Sequence, residues 1–418
     1  MLFLYRLSLL FYSLIVRVAS LFNPKAKLFI TGRRDLLLQI KAAMGKEQRP
    51  RIWMHCASLG EFEQGRPVLE YLREQYPGYA IVLTFFSPSG YQVRKKYKGA
   101  DYVFYLPLDT RSNARQFILN TTPSLAIFVK YDLWYFYLQA LQQRQIPSVL
   151  LSAVFSPRQG YFKWYGGIQR EMLRMLSCIF VQDQRSKDML AQIGINNAIV
   201  AGDTRFDRVI AAAEAPSALA QMERLANQHP LFIAGSTWKE DEELLHQVYG
   251  QLPGNWKLLI VPHEVDEERI SSIEKLFKGK AKRWSEWNGE NLFTEQVLIV
   301  DTIGLLLKLY SYGHIAWIGG GLSRSGVHNV LEAAVYGLPC IYGPEHEDYI
   351  EAVELIQAGG AVSCDNAASL LVILQRWTTD AHCRRQVADA AKNYVHSHAG
   401  ATRIITGHLA EKNWLSTL

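Results

Sequence analysis

The sequence predicts an α/β protein built from two doubly wound parallel sheets. Short apolar runs alternate with helical stretches, an order that is typical of parallel strands covered by helices. The chain has 418 residues, of which 49% are apolar, and this is more apolar material than one core usually holds. The alternation stops near residue 210 and restarts near residue 230. We therefore expect one such sheet in each half of the chain.

In the first half, the first predicted strand leads directly into a candidate site. A buried strand is predicted at 52–57, a turn at 58–60 and a helix at 61–76. The next strand, 80–86, is again followed by a turn and a helix. The remaining strands of this half are predicted at 102–106, 125–129, 148–152 and 178–181.

The second half repeats the pattern after an Ala-rich amphipathic stretch. Its strands are predicted at 231–235, 257–261, 295–300, 315–318 and 339–341. Doubly wound sheets bind ligands at the carboxyl ends of their strands, so two of them predict a ligand cleft between the sheets. The chain divides into an anchor segment at 1–34, a first domain at 35–210, an interdomain region at 211–229 and a second domain at 230–418.

The chain begins with an apolar and basic segment. Residues 2–22 are mostly Leu, Phe, Tyr, Ile and Val, but Arg6 and Arg17 interrupt the run, and the apolar stretch between them is too short to cross a bilayer comfortably. We expect a monotopic anchor whose basic residues meet anionic lipid. A cleaved signal peptide and an ordinary helix packed on the domain are the alternatives. The basic flank would keep the protein on the cytoplasmic side.

The composition argues against several kinds of site. The five cysteines are scattered without a Cys-x-x-Cys pair and the eleven histidines are dispersed, which disfavours a disulfide framework or a zinc site. The acidic run Glu240–Glu243 is interpreted as a helix start rather than a ligand set. The segment before Asp35 can account for the net charge of +6, and the rest of the chain is near neutral. We therefore expect no metal, no cofactor and no nucleic-acid partner.

A glycine-rich motif in the second half is the most specific signal. A predicted strand ends at Ile318 and enters a loop that would open a helix, whose first turn presents backbone N–H groups to a phosphate. Glu332, three residues after Asn329, would lie on the same helical face and accept hydrogen bonds from a ribose diol. Capping and surface roles are the alternative for these two residues. The candidate phosphate-binding loop residues are Gly319, Gly320, Gly321, Ser325 and Gly326.

Motifs in both halves resemble the Kdo transferases, which transfer 3-deoxy-D-manno-octulosonic acid. The run His55–Phe62 is similar to the family's Ala-Ser-x-Gly-Glu motif, and runs at 83–90, 105–109 and 202–207 follow in the family's order. The resemblance covers nearly the whole chain. It implies a GT-B fold and an inverting glycosyltransferase of lipopolysaccharide biosynthesis that moves Kdo from CMP-Kdo to a lipid A precursor, lipid IVA. The protein would act at the cytoplasmic face of the inner membrane of a Gram-negative bacterium.

The resemblance implies that Glu61 is the catalytic base. Transfer with inversion needs a group that accepts the proton of the acceptor hydroxyl while the sugar centre develops oxocarbenium character, and a carboxylate suits this task. A helix N-terminal charge stabilised by the macrodipole is the alternative. The implied acceptor-binding residues are Ser58, Gly60, Ser87, Ser89, Gly90, Lys130 and Asp132.

The donor would bring one phosphodiester and one carboxylate, so its site should contain cations and helix N-termini rather than a metal. Arg205 corresponds to a basic position of the family and is the first candidate for these groups. Ser236 and Thr237 follow a predicted strand and can offer hydroxyl groups, although capping the next helix is an alternative role. His263 is a further candidate, at a strand end where related sequences often have Pro-Arg-His.

One position departs from the family pattern. Members commonly contain a Glu-x-Glu-x-Trp-Pro-Asn run, whereas this chain has Lys130, Asp132 and Trp134 at the corresponding places. Lys130 could pair with Glu61 or contact a lipid A phosphate, and either contact would change acceptor binding or the pKa of the base. The departure keeps a non-catalytic sugar-binding or lipid A-binding protein open. A different GT-B transferase and a hexosamine epimerase are also compatible with the sequence.

Overall fold

A computed structural model describes residues 1–215, 218–287, 289 and 291–415. The chain forms two compact units: the first unit contains residues 1–208 and 399–418, and the second unit contains residues 209–398. Each unit has one seven-stranded sheet, and the strand pairs in both sheets are parallel. The predicted fold class is therefore confirmed, with two α/β sheets in one chain.

The sheet of the first unit has the strand order β3-β2-β1-β4-β5-β6-β7. Successive residues of β1 enter opposite faces: Ile52 and Met54 join one core, and Trp53 joins the other. The order reverses between β1 and β4, and this switch point is where such sheets commonly bind ligands. The strands are β1 (Arg51–Cys56), β2 (Ala80–Phe85), β3 (Tyr102–Tyr105), β4 (Pro123–Val129), β5 (Ser148–Ala153), β6 (Cys178–Val181) and β7 (Ala198–Val200).

Helices cover both faces of this sheet. The helices of the first unit are α1 (Leu2–Ala19), α2 (Pro24–Thr31), α3 (Leu36–Met44), α4 (Leu59–Gln75), α5 (Pro88–Arg94), α6 (Arg111–Thr121), α7 (Tyr135–Gln143), α8 (Gly167–Arg174), α9 (Gln184–Gln192), the start of α10 (Thr204–Glu214) and α19 (Ala401–Glu411).

The sheet of the second unit has the order β10-β11-β9-β8-β12-β13-β14, with its switch point between β8 and β12. Its strands are β8 (Leu231–Thr237), β9 (Lys257–Pro262), β10 (Ala281–Arg283), β11 (Val297–Ile299), β12 (Ile315–Ile318), β13 (Cys340–Tyr342) and β14 (Ala361–Ser363). Its helices are α11 (Ala220–Gln228), α12 (Lys239–Val248), α13 (Glu267–Leu276), α14 (Leu306–Tyr310), α15 (Leu331–Ala334), α16 (Ile350–Gln357), α17 (Ala367–Thr379) and α18 (Ala381–Ser397).

Two of the predicted domain limits differ from the structure. The segment 211–229, predicted to join the domains, forms the end of α10 and α11 in the second unit, and Met222 and Leu225 are buried there; Pro216 and Ser217 lie outside the described residues. Residues 399–418, predicted in the second domain, belong to the first unit. The Asp207 carboxylate accepts hydrogen bonds from the N–H groups of Gly400 and Thr402, both at 2.6 Å.

Helix α1 packs on the first unit along one stripe and exposes the rest of its surface. Among the described residues, it is the one helix long and apolar enough to cross a membrane. Tyr5 donates a hydrogen bond to Asp109 at 2.5 Å, and the Tyr12 ring packs 6.0 Å from the Phe86 ring. The exposed apolar side chains of α1 are Phe3, Leu4, Leu7, Leu10, Phe11, Leu14, Ile15 and Val18.

The packing of α19 on the first unit gives a stability prediction. Ile405 is fully buried in the core of that unit, so Ile405→Ala should lower the free energy of unfolding by about 2–5 kcal/mol through lost burial and the cavity left behind. The neighbouring Ile404 is 42% exposed, and Ile404→Ala should cost much less. Urea denaturation followed by circular dichroism measures both. Equal losses from the two variants would contradict the docking of α19.

Candidate active site

The carboxyl ends of β1, β2 and β4 place most of the predicted acceptor-binding residues at one edge of the first sheet. Ser58 precedes α4 as its N-cap residue, and Glu61 lies in the first turn of that helix. The Glu61 carboxylate accepts a hydrogen bond from the N–H of Ala57. This contact folds the side chain back toward the end of β1. Glu61 therefore also occupies the position of a helix N-terminal charge, which was the alternative to a catalytic role.

The pKa of Glu61 is raised above its ordinary value. Burial is the largest cause, and the nearby negative charge of Asp132 raises the pKa further. The Ala57 N–H and the charges of His55 and Lys130 act in the opposite direction without cancelling the rise. A carboxylate with a raised pKa binds a proton more strongly, and this is the property required of a general base.

A buried histidine holds Asp132 beside Glu61. His55 lies at the end of β1 and is fully buried. Its Nε2 atom lies 2.6 Å from Asp132 Oδ2, and its Nδ1 atom lies 2.9 Å from the hydroxyl of Thr84. Trp53 donates to the same Thr84 hydroxyl at 2.8 Å. His55 was in the sequence motif, but sequence reasoning assigned it no role.

Lys130 directly follows β4, and its backbone has a positive φ of 59°. This conformation is uncommon for a residue other than glycine. The Lys130 N–H donates to the carbonyl of Leu151 at 2.8 Å. Its positive charge lowers the pKa of Glu61. The sequence suggested either a pair with Glu61 or a contact with a lipid A phosphate, and the electrostatic effect on Glu61 agrees with the first. The acid found here in related sequences would have the opposite effect.

Ser87, Ser89 and Gly90 have local structural roles, whereas Gly60 has none that packing requires. The Ser87 hydroxyl caps α5 by accepting the N–H of Ser89 at 3.2 Å, and the two hydroxyl oxygens lie 2.8 Å apart. A Cβ on Gly90 would lie 2.3 Å from the Phe85 ring, so packing alone requires glycine there. A Cβ on Gly60 would meet its nearest atom, the Ser58 hydroxyl oxygen, only at 4.0 Å. Packing therefore leaves open space beside Gly60.

Arg205 lies in the first unit, in the first turn of α10. Its Nε and Nη2 atoms lie 2.8 Å and 2.7 Å from one carboxylate oxygen of Asp203. The preceding Thr204 donates a hydrogen bond to the carbonyl of Gln64 at 2.5 Å. The start of α10 is therefore held beside α4, one turn beyond Glu61, and Arg205 belongs to the same edge of the first sheet.

In the second unit, the glycine loop differs from its prediction. The helix that follows it, α15, has four residues, and residues 322–330 form turns and irregular backbone instead. The N–H of Gly319 donates to the Gly235 carbonyl at 2.9 Å, and the N–H of Gly320 donates to Asp241 at 3.0 Å. The helix therefore begins at Leu331 rather than directly after the glycines, and phosphate binding by N–H groups at its start stays a prediction. Two of the loop's N–H groups donate to Gly235 and Asp241 and so stabilise the loop conformation.

Close approach explains the glycines of this loop. A Cβ on Gly319 would lie 2.2 Å from the Ser236 carbonyl oxygen, and one on Gly321 would lie 2.7 Å from the Gly343 nitrogen. Gly320 and Gly326 have φ angles of 92° and 78°, which other residues rarely adopt. The Ser325 hydroxyl lies 2.5 Å from that of Ser323.

Asn329 and Glu332 come together, but not on one helical face. Asn329 lies before α15 and donates from its side-chain nitrogen to Glu332 at 3.0 Å, while its side-chain oxygen accepts the N–H of Leu331 at 3.2 Å. Val330 is the N-cap residue of α15, so Asn329 contacts the helix start from just before it, because the helix begins later than its sequence pattern predicts. Glu332 is half-buried.

Ser236 and Thr237 do not cap the next helix. Strand β8 continues through both residues, and Trp238 is the N-cap residue of α12. The Thr237 hydroxyl donates to Glu242 at 2.8 Å, and Glu242 pairs with Arg269 at 2.6 Å. Burial raises the pKa of Glu242 to about 7. Thr237 is thus a structural donor to a buried carboxylate.

Asp241 organises the second site, although its acidic run was predicted to be only a helix start. Both Asp241 and Glu242 are buried. Asp241 accepts hydrogen bonds from the N–H groups of Trp238 and Gly320 and from the indole of Trp317, at 2.8, 3.0 and 3.1 Å. Sequence reasoning missed this residue because its helical face points inward, where three donors neutralise the cost of burying a charge.

His263 belongs to a stack of three rings. The His263 ring lies 4.7 Å from the Trp238 ring and 4.4 Å from the His328 ring, and its backbone N–H donates to Thr237 at 3.0 Å. Trp238 donates through its indole nitrogen to His328 at 2.9 Å. Burial and the adjacent His263 lower the pKa of His328 to about 4, so its ring is neutral at pH 7. His328 lies between the candidate residues Gly326 and Asn329, but the sequence analysis assigned it no role.

Among the described residues, no three His, Cys, Asp or Glu side chains lie together in a way that could hold a metal ion. The cysteines among the described residues form no disulfide and are buried. Metal independence stays a prediction.

The sequence comparisons identify the family of the first unit. Residues 33–208 match the family model described as 3-deoxy-D-manno-octulosonic-acid transferase (Kdo transferase). This segment belongs to the Kdo transferase family. A Kdo transferase from Bordetella pertussis is 27% identical over 84% of this chain and 85% of its own length, and one from Haemophilus influenzae is 28% identical over 77% of each chain. The Kdo transferase resemblance of the sequence is thereby confirmed.

Solved structures confirm the GT-B fold. The UDP-GlcNAc 2-epimerase from Neisseria meningitidis, bound to UDP-GlcNAc, has a TM-score of 0.61 at 15% identity and covers 86% of this chain and 100% of its own. The calicheamicin glycosyltransferase CalG4 has a TM-score of 0.54 at 12% identity, over 88% of this chain and 100% of its own. At these identities the similarities show the fold alone, so the function is argued from the residues of the site.

The Asp241 contacts predict how the glycine loop of this Kdo transferase relative is held. Asp241→Asn replaces one accepting oxygen with an NH₂ group that faces backbone or indole donors. This change should lower the free energy of unfolding by about 1–3 kcal/mol. We expect a lower unfolding temperature and faster hydrogen exchange at the Gly320 amide. Glu240→Gln, an exposed change in the same helical turn, should alter neither. Unchanged exchange at Gly320 in Asp241→Asn would contradict the assigned role.

Proposed function

We propose that this protein is an inverting glycosyltransferase that moves Kdo from CMP-Kdo to lipid IVA, a lipid A precursor, in lipopolysaccharide biosynthesis. The observation that carries the proposal is the half-buried Glu61 carboxylate, whose pKa is raised at the switch-point edge of the first sheet. Relatives named as Kdo transferases cover most of the chain, and they support a glycosyltransferase of this pathway.

In the proposed reaction, Glu61 takes the proton of an acceptor hydroxyl. The resulting oxygen nucleophile forms a bond to the anomeric carbon of Kdo as the bond between that carbon and the CMP phosphate oxygen breaks. The electron pair leaves with CMP, and the proton stays on the Glu61 carboxyl until solvent removes it. Attack from the face opposite CMP inverts the anomeric centre.

The charged neighbours of Glu61 adjust this step. Asp132, held by His55 at 2.6 Å, raises the pKa of Glu61, and Lys130 lowers it. His55 and Asp132 thus act as positioning residues for the base. Because Lys130 replaces an acid of the family pattern, Glu61 should remain ionised to lower pH in this chain than it would with an acid there.

We assign Arg205 to the negative charge of the donor. Asp203 bonds the Arg205 guanidinium through Nε and Nη2 and so fixes its plane, and a planar guanidinium suits recognition of a phosphate or carboxylate. We assign Ser325 and Glu332, in and after the glycine loop, to the nucleotide half of the donor. Hydroxyl and carboxylate groups are suitable partners for phosphate and ribose oxygens.

We further propose that the protein works at the cytoplasmic face of the inner membrane. The exposed apolar face of α1 supports this location, because such a face is favourable in the acyl region of a bilayer. The basic residues near α1, among them Lys25, Lys27 and Arg34, suit an anionic leaflet.

Glu61→Gln tests the proposal. Purified protein is incubated with CMP-Kdo and lipid IVA, and mass spectrometry follows the gain of Kdo by the acceptor. We expect product with the wild type and a loss on the order of 10²–10⁴-fold with Glu61→Gln, because the amide cannot accept the proton. Glu70→Gln, on the exposed side of the same helix, serves as the matched control and should retain activity.

Two outcomes would overturn the assignment. Full turnover by Glu61→Gln would exclude Glu61 as the base. Binding of CMP by the wild type without product would favour the non-catalytic alternative, since the donor site would then be intact while transfer is absent.

A further inference from the structure

Two adjoining cavities lie beside the N-terminal helix of the first unit. The larger, of about 510 Å³, is lined by residues of α1 and by 108–113, where α6 begins. The smaller, of about 390 Å³, lies between α6 and α7. Arg111 and Phe136 line both cavities, so the two adjoin at these residues. We call them the arginine cavities, and together the recess.

Five arginines line this recess, and one carboxylate lies among them. They are Arg6, Arg17, Arg111, Arg115 and Arg144. Across the described ranges of the chain, none of the five forms an ion pair with a carboxylate. The one carboxylate in the lining is Asp109, and its oxygens accept from the Tyr5 hydroxyl and from the N–H groups of Phe136 and Tyr137.

Asp109 supplies one negative charge against five arginines. It is buried, and burial raises its pKa to about 6. Its hydrogen bonds tie α1 to the start of α7, so its role is internal. Arg6 contacts the Phe136 ring, with its guanidinium carbon 5.3 Å from the ring centroid. Like charges gathered in one recess repel each other, and a bound anion removes that cost.

The surroundings of the recess indicate a lipid rather than a soluble anion. Leu9, Leu10 and Phe136 line it next to the arginines. Phe11 and Leu14, elsewhere on α1, are exposed. A guanidinium binds phosphate through paired N–H groups, and apolar side chains beside it accommodate the start of an acyl chain.

We propose that the arginine cavities bind the headgroup phosphate of an anionic membrane phospholipid. This site is separate from the residues assigned to donor and acceptor, and it does not depend on the proposed transfer reaction. It gives the anchor a defined lipid contact, whereas the basic segment alone would give only diffuse attraction.

Vesicle flotation with the full chain tests the site. Vesicles of phosphatidylcholine alone are compared with vesicles in which part of it is replaced by phosphatidylglycerol. Arg6→Gln with Arg111→Gln should weaken binding to the anionic vesicles by about fivefold for each arginine removed. Binding to neutral vesicles should not change, because the apolar face of α1 stays intact. Arg115→Gln with Arg144→Gln should weaken anionic binding in the same way.

The matched control removes the same charge elsewhere in the first unit. Arg185 and Lys187 are exposed on α9, and Arg185→Gln with Lys187→Gln should leave anionic binding nearly unchanged. Equal losses from the control and test pairs would overturn the proposal, because the attraction would then be diffuse. Unfolding temperatures show whether each variant is folded.

Two further arms distinguish the source of the phosphate. Inorganic phosphate at the same phosphate concentration should not displace the protein from anionic vesicles, and displacement would assign the recess to a free anion. Lipid IVA in neutral detergent micelles should bind the wild type and the Arg6→Gln/Arg111→Gln variant equally. Weaker binding by that variant would assign the recess to the acceptor's own phosphates, and the proposal would fail.

Discussion

The proximity of two carboxylates at one edge of the first sheet is the constraint on which the proposed chemistry depends. Burial is the largest cause of the raised pKa of Glu61, and the nearby negative charge of Asp132 raises it further, which makes Glu61 a better proton acceptor. The fold maintains this arrangement through strand order, because β1 and β4 are neighbours at the switch point. His55, near the end of β1, contacts Asp132 just after β4, and the Ala57 N–H donates to Glu61.

The sequence predicted most of the fold because buried parallel strands are apolar runs of recognisable length. It missed β7, β10 and β14. Each of these strands has three residues and lies at the edge of its sheet, so none of them forms a long apolar run in the sequence. It also misplaced α19. A helix that returns to the first unit has the same amphipathic pattern as one that stays in the second, and only tertiary contacts such as those of Asp207 decide between them.

The candidate sites show the same difference between features set by local sequence and features set by tertiary contacts. Glu61 was predictable from a strand-turn-helix motif, because such turns place side chains at the edge of a sheet. The pairing of His55 with Asp132, 77 positions apart, was not, because it depends on strand order. Asp241 looked like a surface acid until its inward-facing donors were known. The glycines indicated a tight loop correctly, but whether its N–H groups face a ligand or the loop itself depends on backbone geometry that composition does not determine.

Titration of the Glu61 carboxyl group by carbon NMR tests the central claim most directly, with the signal assigned by its loss in Glu61→Gln. Asp132→Asn removes a like charge and should lower the pKa of Glu61, so that the carboxylate persists to lower pH. Lys130→Gln removes an opposite charge and should raise that pKa. Shifts of opposite sign would support the account, whereas no shift, or shifts in one direction, would contradict it.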